Sequence, residues 1–109
     1  MTEYTVTGKY HRDMGVKQIH ERFKQRVFIV QTSQEINGQV YVNYVKLQLV
    51  QNKCDLLDRY KIGDTICVSF NLKGVERKFD AKDMSTGEMI EKVEYITNLD
   101  AWRIELIKQ

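Results

Sequence analysis

A chain of 109 residues with 42% hydrophobic and 29% charged side chains has an ordinary globular composition and the length of one domain, long enough to bury a core without disulfide or metal staples. Its net charge of +2, from 17 basic and 15 acidic residues, excludes a strongly polycationic protein, so any affinity for polyanions must come from where the charges lie. Cys54 and Cys67 have neither CxxC spacing nor a neighbouring histidine, which excludes a zinc-site pattern and gives no sign of an oxidising compartment.

Proline is absent, and the six glycines mostly separate stretches of period-two character, the pattern of strands joined by turns. The first strand region runs from about Tyr4 to Ile19, with Tyr4, Val6, Gly8 and Tyr10 on one face and a bulge or bend expected at Gly15. A basic connector, 21–26, leads into a short apolar strand over Val27–Thr32. Asn37-Gly38 signals a tight turn, because both residues readily take positive φ. Gln39–Val50 then alternates, with Val45, Leu47 and Leu49 opposed to Tyr44, Lys46 and Gln48.

Over 52–60, Leu56, Leu57 and Tyr60 have helical spacing, Asn52 is positioned as a cap, and Asp55 suits the helix dipole. Cys54 reads as a packing residue at the start of this short helix, and Tyr60 as a side chain seating it on the barrel floor. Thr65–Leu72 follows as a half-buried strand with Ile66, Val68, Phe70 and Leu72 inward, and Cys67 reads as a buried thiol. Residues 74–88 form a polar, charged loop with a turn at Ser85-Thr86-Gly87. The last strand region spans Met89–Ile107, with an interruption near Asn98; Trp102, Ile104 and Leu106 face inward, opposite Ala101, Arg103 and Glu105. Phe28 also belongs to the core.

Five strands with a short helix between the third and fourth describe an all-β OB-fold Greek-key barrel, a single domain over 1–109 whose second and third strands form a binding face. The runs Cys54–Gly74 and Tyr95–Glu105, with the basic segment Ile19–Arg26, resemble a family of small bacterial and phage proteins similar to single-stranded DNA-binding protein (SSB) domains. That resemblance implies non-sequence-specific binding of single-stranded DNA in replication, recombination or repair. The chain stops at Glu105-Leu-Ile-Lys-Gln109 without the acidic tail typical of bacterial SSBs, so recruitment of partner enzymes by such a tail is not expected.

Binding of this kind needs cations along the phosphates and rings on which bases stack. Within 9–26, Lys9, Arg22, Lys24 and Arg26 are interleaved with Tyr10 and Phe23, although the stretch also reads as a solvated face and Phe23 as a plug at one barrel end. Tyr44 and Lys46 share the solvent face of the third strand, placed either for stacking and phosphate contact or as a cross-strand pair. In the charged loop, Lys73, Arg77, Lys78 and Phe79 repeat the combination, Phe79 being either a stacking ring or a loop anchor.

No catalytic constellation is present: the histidines have no HExxH spacing, and no glycine-rich phosphate loop occurs. The expectation is therefore a non-enzyme without cofactor or metal. Its partner is single-stranded DNA, with RNA also compatible and self-association open. The alternative is a protein-interaction OB module or phage-encoded modulator. A start without a basic lead or apolar stretch, and no run long enough to span a bilayer, give a cytoplasmic expectation with no membrane partner.

Overall fold

The computed structural model describes residues 4–107; the terminal residues that enter the leader and tail expectations, 1–3 and 108–109, lie outside them. The elements are β1 (Tyr4–His20), β2 (Phe23–Ile36), β3 (Gln39–Val50), a 3-10 helix (Gln51–Arg59), β4 (Thr65–Lys82) and β5 (Met89–Leu106). The strands close into a barrel in the order β1-β2-β3-β5-β4, the expected OB arrangement.

β1 serves two neighbours. Tyr4–Lys9 pair with β4, and Lys9–His20 pair with β2. The two pairings meet at Lys9, and at Gly8 beside it a Cβ would collide with the Gln31 carbonyl oxygen and lie 2.9 Å from Val30 Cγ1, so the backbone approach requires glycine. Farther along, Gly15 takes φ +85° and the register slips between Asp13 and Val16, which is the expected bulge. β2 and β3 form an unbroken ladder from Gln25↔Val50 to Ile36↔Gln39, closed by Asn37 and Gly38 at φ 53° and 80°. A single parallel pair, Gln48↔Asp100, links β3 to β5.

Alternation drives the core. Phe28 and Val30, Leu47 and Leu49, and Ile66 and Val68 are fully buried, each contributing about 1.5–3 kcal/mol through loss of water contact. The 3-10 helix adds Cys54 and Leu57, and the Tyr60 hydroxyl donates to the Ile104 carbonyl at 2.8 Å. Cys54, Leu57 and Tyr60 recur every third residue, which matches the 3-10 pitch. Asn52 does not cap this helix: Val50 is the N-cap and makes no side-chain bond. Burial pushes the Cys54 thiol's pKa up, leaving it a packing group. Cys67 is only half-buried.

The strongest departure from expectation lies between β4 and β5. The polar stretch after Gly74 is not a loop: Lys73–Lys82 pair residue by residue with Met89–Asn98, leaving 83–88 as the turn. This ribbon continues the barrel strands well beyond the core, so Leu72 is exposed rather than inward. The radius of gyration, 17.9 Å, exceeds the roughly 13 Å of a compact chain of this length for the same reason. β5 runs through Asn98 without a break, but slips by one residue at Trp102, between Ser69↔Arg103 and Phe70↔Ala101. That bulge turns both Ala101 and Ile104 into the core and leaves Trp102 half-buried. β2 is also longer than expected, since Phe23–Arg26 belong to the strand and only Glu21 and Arg22 turn.

Candidate nucleic-acid interface

Strand register sorts the cations and rings by face. Across β1, β2 and β3 the rows Lys9–Gln31–Tyr44 and Arg12–Ile29–Lys46 point outward, while the row between them, Tyr10–Val30–Val45, points into the barrel. Tyr44 is 59% exposed, with the His11 ring 4.9 Å away at a 50° tilt. Below this pair a groove of about 360 Å3 crosses the sheet, floored by Val27 and Ile29, with Met14 and Lys17 on one side and Lys46, Gln48 and Asn98 on the other. A second hollow sharing Lys46, Gln48 and Asn98 extends it toward Thr97 and Leu99.

From Asn98 the outer face runs directly onto the ribbon. Lys73, Val75, Arg77 and Phe79 alternate along β4 opposite Asn98, Ile96, Glu94 and Lys92 of β5, all on the groove side by parity. The Arg77 guanidinium lies 5.7 Å from the Phe79 ring centre and 3.5 Å from Glu94. A cation over an aromatic face beside a free ribbon edge can meet a phosphate and a base together. Lys73 bonds Asp100 at 2.9 Å yet remains 64% exposed.

The expected site residues therefore divide. Lys9, Tyr44, Lys46, Lys73, Arg77 and Phe79 share one continuous outer surface. Phe23 stands at its β1–β2 end, stacked on His20 at 5.5 Å, on the same strand face as Gln25. Five others do not belong to that surface. Tyr10 is 3% exposed, packed edge-on against Phe28; burial and the adjacent Asp13 carboxylate push its pKa up to about 12. Arg26 is bound on the opposite side by Asp13 and Asp58, each at 2.7 Å, and by the Cys54 carbonyl at 2.9 Å, so its charge is neutralised within the fold. Lys24 shares that opposite parity, with its backbone N–H on Gln51. Lys78 faces away from Arg77 and Phe79, across from Val93. Arg22 occupies the β1–β2 turn, where its carbonyl accepts from Gln51 at 2.8 Å.

Lys17, His11, Gln25, Gln48 and Asn98 join the surface without having been selected from sequence. Lys17 and His11 lie inside the basic-aromatic stretch that drew notice, and Gln48 shares the alternating outer face of Tyr44 and Lys46, whereas Gln25 and Asn98 carry no sequence signal. Among the described residues no group of three or more His, Cys, Asp or Glu side chains is placed to hold a metal ion, and no helix is long and apolar enough to cross a membrane.

Comparison with solved structures places the barrel beside SSBs. The Plasmodium falciparum SSB in complex with ssDNA superposes with a TM-score of 0.58 at 16% identity, over 99% of this chain and 96% of that one. The mitochondrial single-stranded DNA-binding protein of Saccharomyces cerevisiae gives 0.51 at 13% identity, covering 98% and 95%. A small single-stranded DNA-binding protein from Streptomyces coelicolor gives 0.52 at 10%, covering 97% and 94%. No curated protein matches the sequence. The fold is thus that of an SSB-like OB barrel, and by sequence, with residues 5–105 matching its family model, the chain belongs to the family described as a domain of unknown function, DUF3127.

Proposed function

We propose that this protein binds single-stranded DNA along the groove and the ribbon face, largely without regard to sequence, and catalyses no reaction. The observation that carries the reading is the continuity of that surface, from Lys9 and Tyr44 through Lys46 and Asn98 to Lys73, Arg77 and Phe79. An unpaired strand offers both features such a surface needs, a spaced phosphate chain and bases free to stack, while a duplex hides its base faces. The role in the cell is the protection of exposed single strands during replication, recombination or repair in the cytoplasm.

A labelled oligo-dT titrated by fluorescence anisotropy, with an unlabelled duplex of equal length as competitor, tests this. The expected outcome is binding that the duplex displaces poorly and that quenches tyrosine or tryptophan emission. Oligo-U in place of oligo-dT then reports whether RNA is accepted equally. Equal competition by duplex would remove the single-strand reading.

One region favours a second reading. The β2–β3 tip exposes Val40 and Val42 on one face and Ile36 and Tyr41 on the other, apolar side chains suited to a protein partner or a second copy of the chain. A protein interface of that kind would persist in salt, whereas phosphate contacts weaken.

A further inference from the structure

Lys17 reaches the groove only because β1 carries an extra residue. On either side of the bulge the β1–β2 ladder reads Asp13↔Phe28 and Val16↔Arg26, so Met14 and Gly15 together oppose Val27 on the groove floor. Side chains alternate between the two faces of a strand, and an inserted residue exchanges the faces of everything beyond it. With the bulge, Lys17 pairs with Gln25 and lines the groove. A ladder continued without it from Asp13↔Phe28 would set Lys17 against Lys24, on the face of Arg26 and with two like charges opposed.

One carboxylate holds the inserted residue in place. Asp13 Oδ1 accepts the Gly15 backbone N–H at 2.9 Å, closing a short turn at the point where Gly15 takes φ +85°. The same oxygen accepts from Arg26 Nε at 3.2 Å, and Oδ2 accepts from Arg26 Nη2 at 2.7 Å. Arg26 also donates to Asp58 and to the Cys54 carbonyl, so the guanidinium ties the bulge to the 3-10 helix packed on the core. Asp13 meets Arg26 on the side of the sheet away from the groove and is not among the residues lining it.

We propose that Asp13 is a positioning residue for single-strand binding: by holding the β1 bulge it turns Lys17 onto the groove wall, without touching the strand itself. This deepens the single-strand reading and rests on it. An ammonium on the groove wall supplies one phosphate contact, which adds about 0.7 to the steepness of log K against log salt. The same ammonium on the opposite face supplies none. The contact is therefore present or absent according to the bulge, and the salt dependence reads which.

The test is anisotropy titration of the full chain with labelled oligo-dT at several salt concentrations, with Tm recorded for each variant. Lys17→Gln, at an exposed position, is expected to reduce the steepness by about 0.7, while Lys24→Gln on the other face leaves it unchanged. Asp13→Ala removes the acceptor for Gly15 and reduces it by the same amount. Adding Lys17→Gln to Asp13→Ala reduces it no further, because both changes remove one contact. Asp13→Asn loses the same charge as Asp13→Ala but keeps a carbonyl oxygen for the Gly15 N–H and Arg26 Nε, and the steepness is retained. A merely structural role would lower Tm in both variants without separating their salt dependence. Should Asp13→Ala not fold, Gly15→Val decides: a Cβ there has open space, so only the positive φ is opposed, and the same loss is expected. Full steepness in Lys17→Gln, in folded Asp13→Ala or in Gly15→Val overturns the positioning role, as does an equal loss in Asp13→Asn or Lys24→Gln. In each of those cases oligo-dT still binds and the single-strand reading stands. Absence of binding by the unaltered chain takes down that reading and this inference with it.

Discussion

Tyr10 and Tyr44 have the same side chain and opposite placements, and the difference is one of strand parity. Tyr10 points into the barrel against Phe28, whereas Tyr44 lies outward beside His11. Tyr44→Ala should therefore weaken single-strand binding by roughly 5- to 150-fold, the value of one base stack at about 1–3 kcal/mol, with little change in Tm. Tyr10→Ala should instead cost about 3 kcal/mol of stability, read as an earlier denaturant midpoint. Tyr10 also shares neighbours with the Arg26 cluster, where Asp13 accepts two bonds from the guanidinium. That guanidinium, chiefly through its hydrogen bonds, holds the Asp13 carboxyl below its ordinary 3.8. A depressed folded-state pKa adds stability that is complete above the unfolded value and is lost as the pH falls. Chemical denaturation is thus expected to show stability falling below about pH 4, and the acid limb should be shallower in Asp13→Asn. An unchanged acid limb in that variant would separate Asp13 from the effect.

At the scale of elements, what the sequence made legible was alternation against water, and what it hid was pairing without a core. Ile66 and Val68, or Leu47 and Leu49, declare their strands because one face of each is apolar. The β4–β5 ribbon has solvent on both sides, so Glu76, Arg77, Lys78 and Asp80 fall on strand positions with no apolar period to reveal them. Only the register with β5 shows that Arg77 and Phe79 share a face from which Lys78 is excluded. The bulge at Trp102 was hidden for a related reason: an inserted residue shifts the parity of everything before it, and Ala101 enters the core in place of the larger ring. Of the candidate site, the exposed pair Tyr44 and Lys46 was readable from strand parity. The neutralisation of Arg26 depended on a helix thirty residues away in sequence. The ribbon yields its own prediction. Arg77→Ala and Phe79→Ala should each weaken single-strand binding about three- to tenfold, while Lys78→Ala should change it less than twofold. Equal losses at 77 and 78 would mean that the ribbon acts as a diffuse charge rather than through one face.

The whole molecule is a small barrel with long hairpins, measuring 59 × 45 × 29 Å. Its +2 charge is too small to attract a polyanion from every side. Single-strand binding therefore requires cations and rings to act together along one track, since about half of the basic and aromatic candidates face elsewhere or are neutralised within the fold. The observable consequence is the dependence of affinity on salt, where each phosphate neutralised on a single strand contributes a slope of about −0.7 to log K against log salt. Three or four contacts along Lys9, Lys46, Lys17 and Arg77 predict a slope of about −2 to −3 for a labelled oligo-dT, with tight binding at low salt. A slope near zero, or no binding at low salt, would contradict the claim that these side chains form one surface for an unpaired strand.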